Sequence, residues 1–431
     1  MLTRSFHLFL SLLAFLLLEQ AKAEAPIPAA SDTLRVGLAD VEQLFLQQNL
    51  PLLAQKYNIE ASKAAIIQAK LFENPELSLE QNIYNSNTGR YFETGRQGQN
   101  VVQLQQLFHL AGQRNKRIRV EQFNSRLTEL YYYDLVRTLR LELRSSYLDL
   151  HYQLQQYRIL NEHALSVQQL VTAFDAQYQK GNVALKELIR LKALLLALDN
   201  QKLELVNEIN QNQSDLRLLT AAPTNTFFLP TIEEATIEAA KTSLLTFDEA
   251  LQLAQENRSD LQAASTSILR QEAVVKYEKA QAIPDVSLGG IYDRAGSIMY
   301  NYTGITLQMA LPLWNRNQGN IKIAKSELER SKTLLTQQQL QVENEVLQAL
   351  QTLREAEQVY SRSDQNLSGD FKRLINGVTE NFAKRNISLI EFIDYYETYT
   401  ETMIQLLQLR NSRIRAIEEL NYTVGFPLIT Y

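Results

Sequence analysis

The chain has 431 residues, of which 45% are hydrophobic and 21% charged, a balance that excludes a multispan helical membrane protein. Lys and Arg number 43 against 48 Asp and Glu, a formal charge of -5, so no basic footprint for wrapping nucleic acid exists. With no cysteine there can be no disulfide framework, thiolate metal site, catalytic thiol or lipidated N-terminal cysteine.

The first predicted element is a secretory signal over residues 1–23. Arg4 precedes an apolar run from Phe6 to Leu18, and Ala21-Lys22-Ala23 supplies the small-residue cleavage site. Thirteen helical residues reach only ~20 Å, short of the ~30 Å hydrocarbon core, which disfavours a membrane anchor. Residues 24–37 read as an extension ahead of the first repeat.

From there the chain is written twice. Asn49-Leu50-Pro51-Leu52-Leu53 overlies Asn257-Arg258-Ser259-Asp260-Leu261, and Pro75-Glu76-Leu77-Ser78-Leu79 overlies Pro284-Asp285-Val286-Ser287-Leu288. Tyr178 through Ile189 overlies Phe382 through Ile393, and Pro223 finds Pro427, all at offsets of about 204–209 residues. Repeat one spans 38–223, a linker 224–243, repeat two 244–427, and a tail 428–431.

Each repeat reads helix, helix, strand, strand, long helix, helix. In repeat one the early helix is expected at about 52–73. A hairpin follows at about 76–108, where Leu77, Leu79 and Ile83 alternate with Ser78, Glu80 and Asn82, and Val102 and Leu104 with Gln103 and Gln105. A coiled coil then runs over about 113–220. Leu143, Tyr147, Leu150, Leu154, Tyr157, Leu160, Ala164, Val167 and Val171 lead to a break at Gly181, and Leu188, Leu191, Leu195, Leu198, Leu205, Ile209 and Leu216 carry the return, with Lys202 and Asn212 as polar exceptions. The uninterrupted stretch to residue 180 predicts a helix of ~100 Å. Repeat two places its hairpin at about 285–312 and its coiled coil at about 318–424, with an equally long first helix from Gln318 to Lys384.

The strands have the length and the one-apolar, one-polar alternation of membrane-crossing strands; a half-buried soluble hairpin shows the same period. Aromatic residues Tyr91, Phe92, Tyr300 and Tyr302 at one end and Trp314, the membrane-interface anchor, just past the other favour the membrane. Four strands cannot close a barrel, so closure requires several chains: two would give eight strands, three would give twelve with room for a lumen, which the polar face prefers. Arg114, Lys116, Arg117 and Arg119 open one long helix, and Arg316, Lys322 and Lys325 the other, as a headgroup ring or as solvated helix starts.

In sum, these residues resemble the TolC-type outer-membrane efflux channels over nearly the whole chain. Asn74-Pro75-Glu76-Leu77 and the run from Leu311 to Asn320 are most similar to the heavy-metal cation-efflux, CzcC-like branch. The resemblance implies a mainly α protein with a transmembrane β-barrel contribution: a homotrimeric, 12-stranded barrel in outer-membrane lipid, continued by a periplasmic α-helical tube. It implies partners too, a periplasmic adaptor and an inner-membrane RND-type pump, and no enzyme activity.

It also implies roles for the two helical turns. Tyr178, Gly181, Asn182 and Leu185 of repeat one, and Phe382, Arg385, Asn386, Ile387 and Leu389 of repeat two, fall at the tips where adaptors dock. Glu391 and Asp394, with Glu187 as the counterpart in repeat one, fall at the acidic entrance ring; the bland alternative is a set of surface acids beside Lys186, Arg190 and Arg385. Phe382 and Ile387 replace the tyrosine and arginine that clasp neighbouring helices in some members, so closure there is expected from apolar packing or from other pairs, with Arg385 as a candidate.

No phosphate-loop, dinucleotide, zinc-protease or serine-hydrolase motif occurs. His151 and His163 lie on different faces of one helix, and His109 is expected to stand alone beside a strand end, so no metal site and no cofactor is expected. The rival functions are a duct of the same fold for drugs or a secreted protein, and a periplasmic coiled-coil scaffold without a barrel.

Overall fold

The computed structural model describes residues 32–232, 245–295, 299–363, 367–384 and 386–428. The signal segment and Arg385 lie outside the described residues. Among those described, no helix is long and apolar enough to cross a membrane. The chain divides into two compact units, one of residues 1–47 and 146–233, the other of 48–145 and 234–431.

The first unit contains β1 (Asp32–Val36), α1 (Leu38–Gln48), the distal part of α3 (Gln113–Gln179), α4 (Leu185–Thr220) and β6 (Thr226–Pro230). β1 and β6 pair in parallel, so residues read as extension and linker instead form a two-stranded ribbon. Two side chains fix it. Gln213 of α4 brackets Phe228 as another strand would, its amide donating to the carbonyl at 2.8 Å and its oxygen accepting from the backbone N–H at 2.9 Å. The buried Tyr147 hydroxyl lies 2.9 Å from the Val36 carbonyl and 3.0 Å from that of Thr231. Burial pushes this phenol up to about 12. Farther along, Leu160, Val167 and Val171 of α3 and Leu188, Leu191, Leu198, Leu205 and Ile209 of α4 are buried at the coiled-coil spacing.

The second unit holds α2 (Leu50–Lys70), β2 (Glu76–Gln81), a small loop hairpin β3 (Tyr84–Asn85) and β4 (Arg90–Tyr91), β5 (Asn100–Phe108) and the start of α3. Repeat two adds α5 (Phe247–Asn257), α6 (Ser259–Gln281), β7 (Val286–Ala295), β8 (Tyr300–Met309), α7 (Gln318–Arg362), α8 (Leu367–Ala383) and α9 (Leu389–Val424). The four long strands form one antiparallel sheet in the order β2-β5-β7-β8. Both long helices leave it the same way. A left-handed residue, Gly112 (φ 65°) or Asn317 (φ 58°), turns the chain. An amide then grips the end of α6: Gln113 donates to Ile283 O at 3.0 Å and Asp285 Oδ1 at 3.0 Å, and Asn317 donates to Glu278 O at 2.8 Å.

The helix expected from Gln318 to Lys384 is not continuous: α7 ends at Arg362 and α8 begins at Leu367. Ser363 turns extended (ψ 134°), and its hydroxyl donates to Tyr360 O at 2.6 Å. Such local bonding by serine competes with the helical ladder, and Ser361 and Ser363 stand together at this end of α7.

The junction of α5 and α6 is the polar core of this unit. Arg258, 2% exposed, donates to Asp260 at 3.1 and 2.6 Å, to Glu345 at 2.5 Å and to the Thr423 carbonyl at 3.2 Å. Arg137 adds a bond to the Tyr422 carbonyl at 3.0 Å and stacks 4.1 Å over that ring. The cluster therefore ties α3, α6, α7 and α9 together. Gly425 (φ 73°) closes α9 beside it, where a Cβ would sit 3.1 Å from the Asn257 carbonyl carbon.

Candidate functional site

Cross-strand register sorts the sheet into two chemically opposite faces. Leu77, Leu104, Gly290 and Ile305 are in register, as are Leu79, Val102, Tyr292 and Thr303, then Gln106, Leu288 and Leu307, then Phe108, Val286 and Met309. All share one face. Among the described residues no element covers it: Ile305 is 84% exposed, Leu307 72% and Leu79 69%. The other face carries Glu76, Ser78, Glu80, Gln103, Gln105, Ser287, Asp293, Thr306 and Gln308, together with Val101, Leu107 and Ile291. Its charged residues are carboxylates, and no Lys or Arg of the four strands points to it. Ten-residue strands extend ~34 Å, or ~24 Å when tilted by 45°, which matches the apolar band of a membrane barrel. Strands β7 and β8 have this length, whereas β2 has six residues.

The ends of the sheet carry the aromatic residues noted in the sequence. Tyr91, Phe92 and Tyr300 are exposed at the loop end, where Tyr84 and Tyr91 stack at 4.9 Å. Trp314 is exposed just beyond β8. His109, expected to stand alone, instead sits between carboxylates: Nδ1 is 3.0 Å from Asp285 and Nε2 is 3.6 Å from Glu73. The correction is topological, because the register of β5 with β7 brings residues just outside those strands together although 176 positions separate them. The two carboxylates approach different ring nitrogens, and among the described residues no three metal-ligating side chains converge.

The two helical turns are built alike but stabilised differently. In the first, Gly181 (φ 74°) lets its N–H reach Tyr178 O at 2.9 Å, and Asn182 bonds Gln177 through both backbone and side chain at 3.0 and 2.8 Å. Leu185 is exposed, Glu187 half-buried, and Lys192 pairs with Asp175 at 3.2 Å across the hairpin. In the second, Asn386 bonds Asn381 through backbone and side chain at 2.9 and 3.1 Å. Phe382 stacks on Phe392 at 4.4 Å and Phe392 on Tyr396 at 4.8 Å, while Leu389 is buried and Ile387 half-buried.

Glu391 closes a capping box with Ser388, accepting from its N–H at 2.8 Å while the serine hydroxyl accepts from the Glu391 N–H at 3.2 Å. Those bonds hold its carboxyl below the ordinary range. Ser388 and Glu391 stand three residues apart, the spacing that a capping box requires. Asp394, one turn on, is exposed.

Comparison with known proteins gives the site its context. The family model described as outer membrane efflux protein matches residues 250–425, the span that contains two of the four strands and the second helical turn. That span of the chain is similar to the outer membrane efflux proteins. The TolC-type fold extends well beyond that span: the chain matches the structure of CusC with a TM-score of 0.71 at 17% identity, covering 90% of this chain and 92% of that one. The Campylobacter jejuni CmeC outer membrane channel matches with a TM-score of 0.74 at 16% identity, over 90% and 86%. Among curated proteins, the cobalt-zinc-cadmium resistance protein CzcC of Cupriavidus metallidurans is 21% identical over 381 residues, 88% of this chain and 87% of that protein.

Proposed function

We propose that this protein is the outer-membrane exit duct of a tripartite efflux system for metal cations. Its barrel closes when three copies join their four-stranded sheets, β8 of one against β2 of the next, into twelve strands continued by the helices into the periplasm. The observation that carries this reading is the sheet: an apolar face that no described element covers, flanked by two edges unpaired among the described residues, is stable in lipid only when closed. A soluble periplasmic scaffold would leave that face in water.

Cations as cargo rest on two features. The likeness to CzcC supports the metal branch. The polar face, with Glu76, Glu80 and Asp293 and no basic side chain, gives nine lumen carboxylates in a trimer, a lining that concentrates cations and repels anions. Glu391 and Asp394 beside the second turn, and Glu187 beside the first, carry the same sign, and each exposed turn, around Gly181 and around Asn386, is a docking point for an adaptor linked to an RND-type pump. The stacked Phe382 and Phe392 take the place of a hydrogen-bonded clasp in holding the second turn.

The test is mass determination of the detergent-solubilised protein from the outer-membrane fraction, followed by reversal potentials in planar bilayers. Trimers with cation-selective conductance are expected. A monodisperse monomer released without detergent would refute the duct, and trimers with anion selectivity would refute the cargo.

A further inference from the structure

Between α3 and α6, just below the sheet, lies a cleft of about 220 Å³ that the duct function leaves unused. Its lining brings together Lys116 and Arg119 of α3 and Lys276 of α6, with Glu272 as the one carboxylate. Among the described residues none of the three cations is ion-paired. Lys116 donates to the Ala111 carbonyl at 2.5 Å and Arg119 to Gln122 at 3.3 Å. The Arg119 guanidinium lies 4.3 Å over the Phe123 ring, which braces its fork of donors, and Leu269 and Ala273 form apolar wall that keeps the local dielectric low. A guanidinium and two ammonium groups against one carboxylate leave a surplus of about two positive charges, and a phosphate anion is the group that such a set binds best.

Depth decides the source of the phosphate. This step rests on the reading of the sheet as membrane-embedded. The headgroup layer is about 5–8 Å thick on each side of the hydrocarbon. Lys116 and Arg119 lie about 4.5 and 9 Å along α3 from its start at Gln113, and Lys276 about 7.5 Å before the end of α6 at Gln281. Gln113 pins those two helix ends to each other, so the three cations share one level immediately under the strand ends. We propose that the Lys116–Arg119–Lys276 cleft is a binding site for the phosphate headgroup of an anionic phospholipid of the inner leaflet, held as a structural lipid between α3 and α6.

The experiment is a native mass-spectrometric titration of the intact protein in neutral detergent with phosphatidylglycerol, phosphatidylcholine and inorganic phosphate. Phosphatidylglycerol is expected to bind in preference to phosphatidylcholine and to resist competition by millimolar phosphate. Lys116→Gln with Arg119→Gln and Lys276→Gln should weaken it on the order of a hundredfold, from roughly fivefold per cation. Lys276→Glu alone should weaken it by more than tenfold, and serves if the triple variant misfolds. Arg117→Gln with Lys322→Gln and Lys325→Gln removes equal charge from the same helix starts outside the cleft and should leave binding within about threefold. Equal loss in both triple variants would replace the site by a diffuse collar, undiminished binding in the first would remove it, and displacement by free phosphate would reassign it to a soluble anion. Insertion into phosphatidylcholine vesicles is the separate control: failure of the wild type there overturns the membrane reading itself, whereas insertion with no lipid preference overturns only this site.

Discussion

Replacing Arg258 with leucine tests the account of the second unit most directly. The guanidinium makes two bonds to Asp260, one to Glu345 and one to the Thr423 carbonyl while almost fully enclosed. Its removal strands carboxylates that are 17% and 31% exposed. Breaking a buried ionic cluster by deleting one partner costs about 3–5 kcal/mol. The lower half of that range applies here, because Glu345 reaches water and Asp260 keeps Gln338 at 3.0 Å and Arg137 at 3.4 Å. For a unit of this size that corresponds to a fall in Tm on the order of 10 °C, measurable by circular dichroism or scanning fluorimetry in detergent. The double variant Arg258→Leu with Asp260→Leu should recover about 1–2 kcal/mol, since no buried carboxylate is then left behind; repeat one builds the corresponding junction with Leu50 and Leu52.

Acid adds a second readout. Burial pushes the Asp260 carboxyl up, but the Arg258 bonds and charge outweigh it and hold the group below its ordinary value. Its contribution is therefore complete above the unfolded pKa near 4 and is lost as pH falls through the lower folded value. In Arg258→Leu burial raises the folded value toward or past the unfolded one, so that acid-dependent loss should shrink or disappear. A single variant within 1 kcal/mol of wild type, or a double variant less stable than the single, would refute the reasoning.

Other predictions concern separate places. Burial lowers the His163 imidazole to about 4, so stability of the first unit is complete above the unfolded value near 6.5 and falls by about 2 kcal/mol by pH 5 as the unfolded state takes up the proton. His163→Leu should abolish that slope in pH-dependent melting, and an unchanged slope would show that another group titrates. Gly425→Ala forces a side chain into a left-handed position 3.1 Å from the Asn257 backbone and should cost roughly 1–3 kcal/mol in chemical denaturation. Phe382→Ala removes a ring stacked at 4.4 Å and should loosen the second turn, raising single-channel conductance in bilayers without changing trimer mass. Glu391→Gln with Asp394→Asn should reduce cation selectivity; reversal potentials that do not move would assign Glu391 to its capping box alone.

Periodic signals were legible in the sequence and distant partnerships were not. The alternation of Leu77 with Ser78 and of Leu307 with Gln308 declares two-faced strands because side chains in a strand alternate by construction. The heptad rhythm from Leu143 to Val171 and the glycine at 181 likewise mark a helix and its end. Arg258 offered no such rhythm: beyond Asp260 its partners lie 87 and 165 residues away, and its only hint was a charged pair where repeat one has leucines. His109 met Asp285 through strand register, which follows from pairing and not from spacing. The break at Ser363 was hidden because apolar spacing continues on both sides, and the β1–β6 ribbon because five-residue strands are too short to show a period.

The joint between β5 and β7 is where one repeat meets the other, eight registered pairs from Val101 opposite Asp293 to Phe108 opposite Val286. The proposed joint between β8 of one chain and β2 of the next has the same antiparallel sense. An ancestral chain of a single repeat would have needed six copies to complete the ring here proposed for three. Fusion turns every second joint into an intramolecular event, raising the effective concentration of its two edges to the millimolar range and halving the number of encounters that assembly requires. It also releases the halves from identity, so that one can carry Arg258 and Asp260 where the other keeps Leu50 and Leu52: the six-fold ring becomes a three-fold one with two distinguishable kinds of stave.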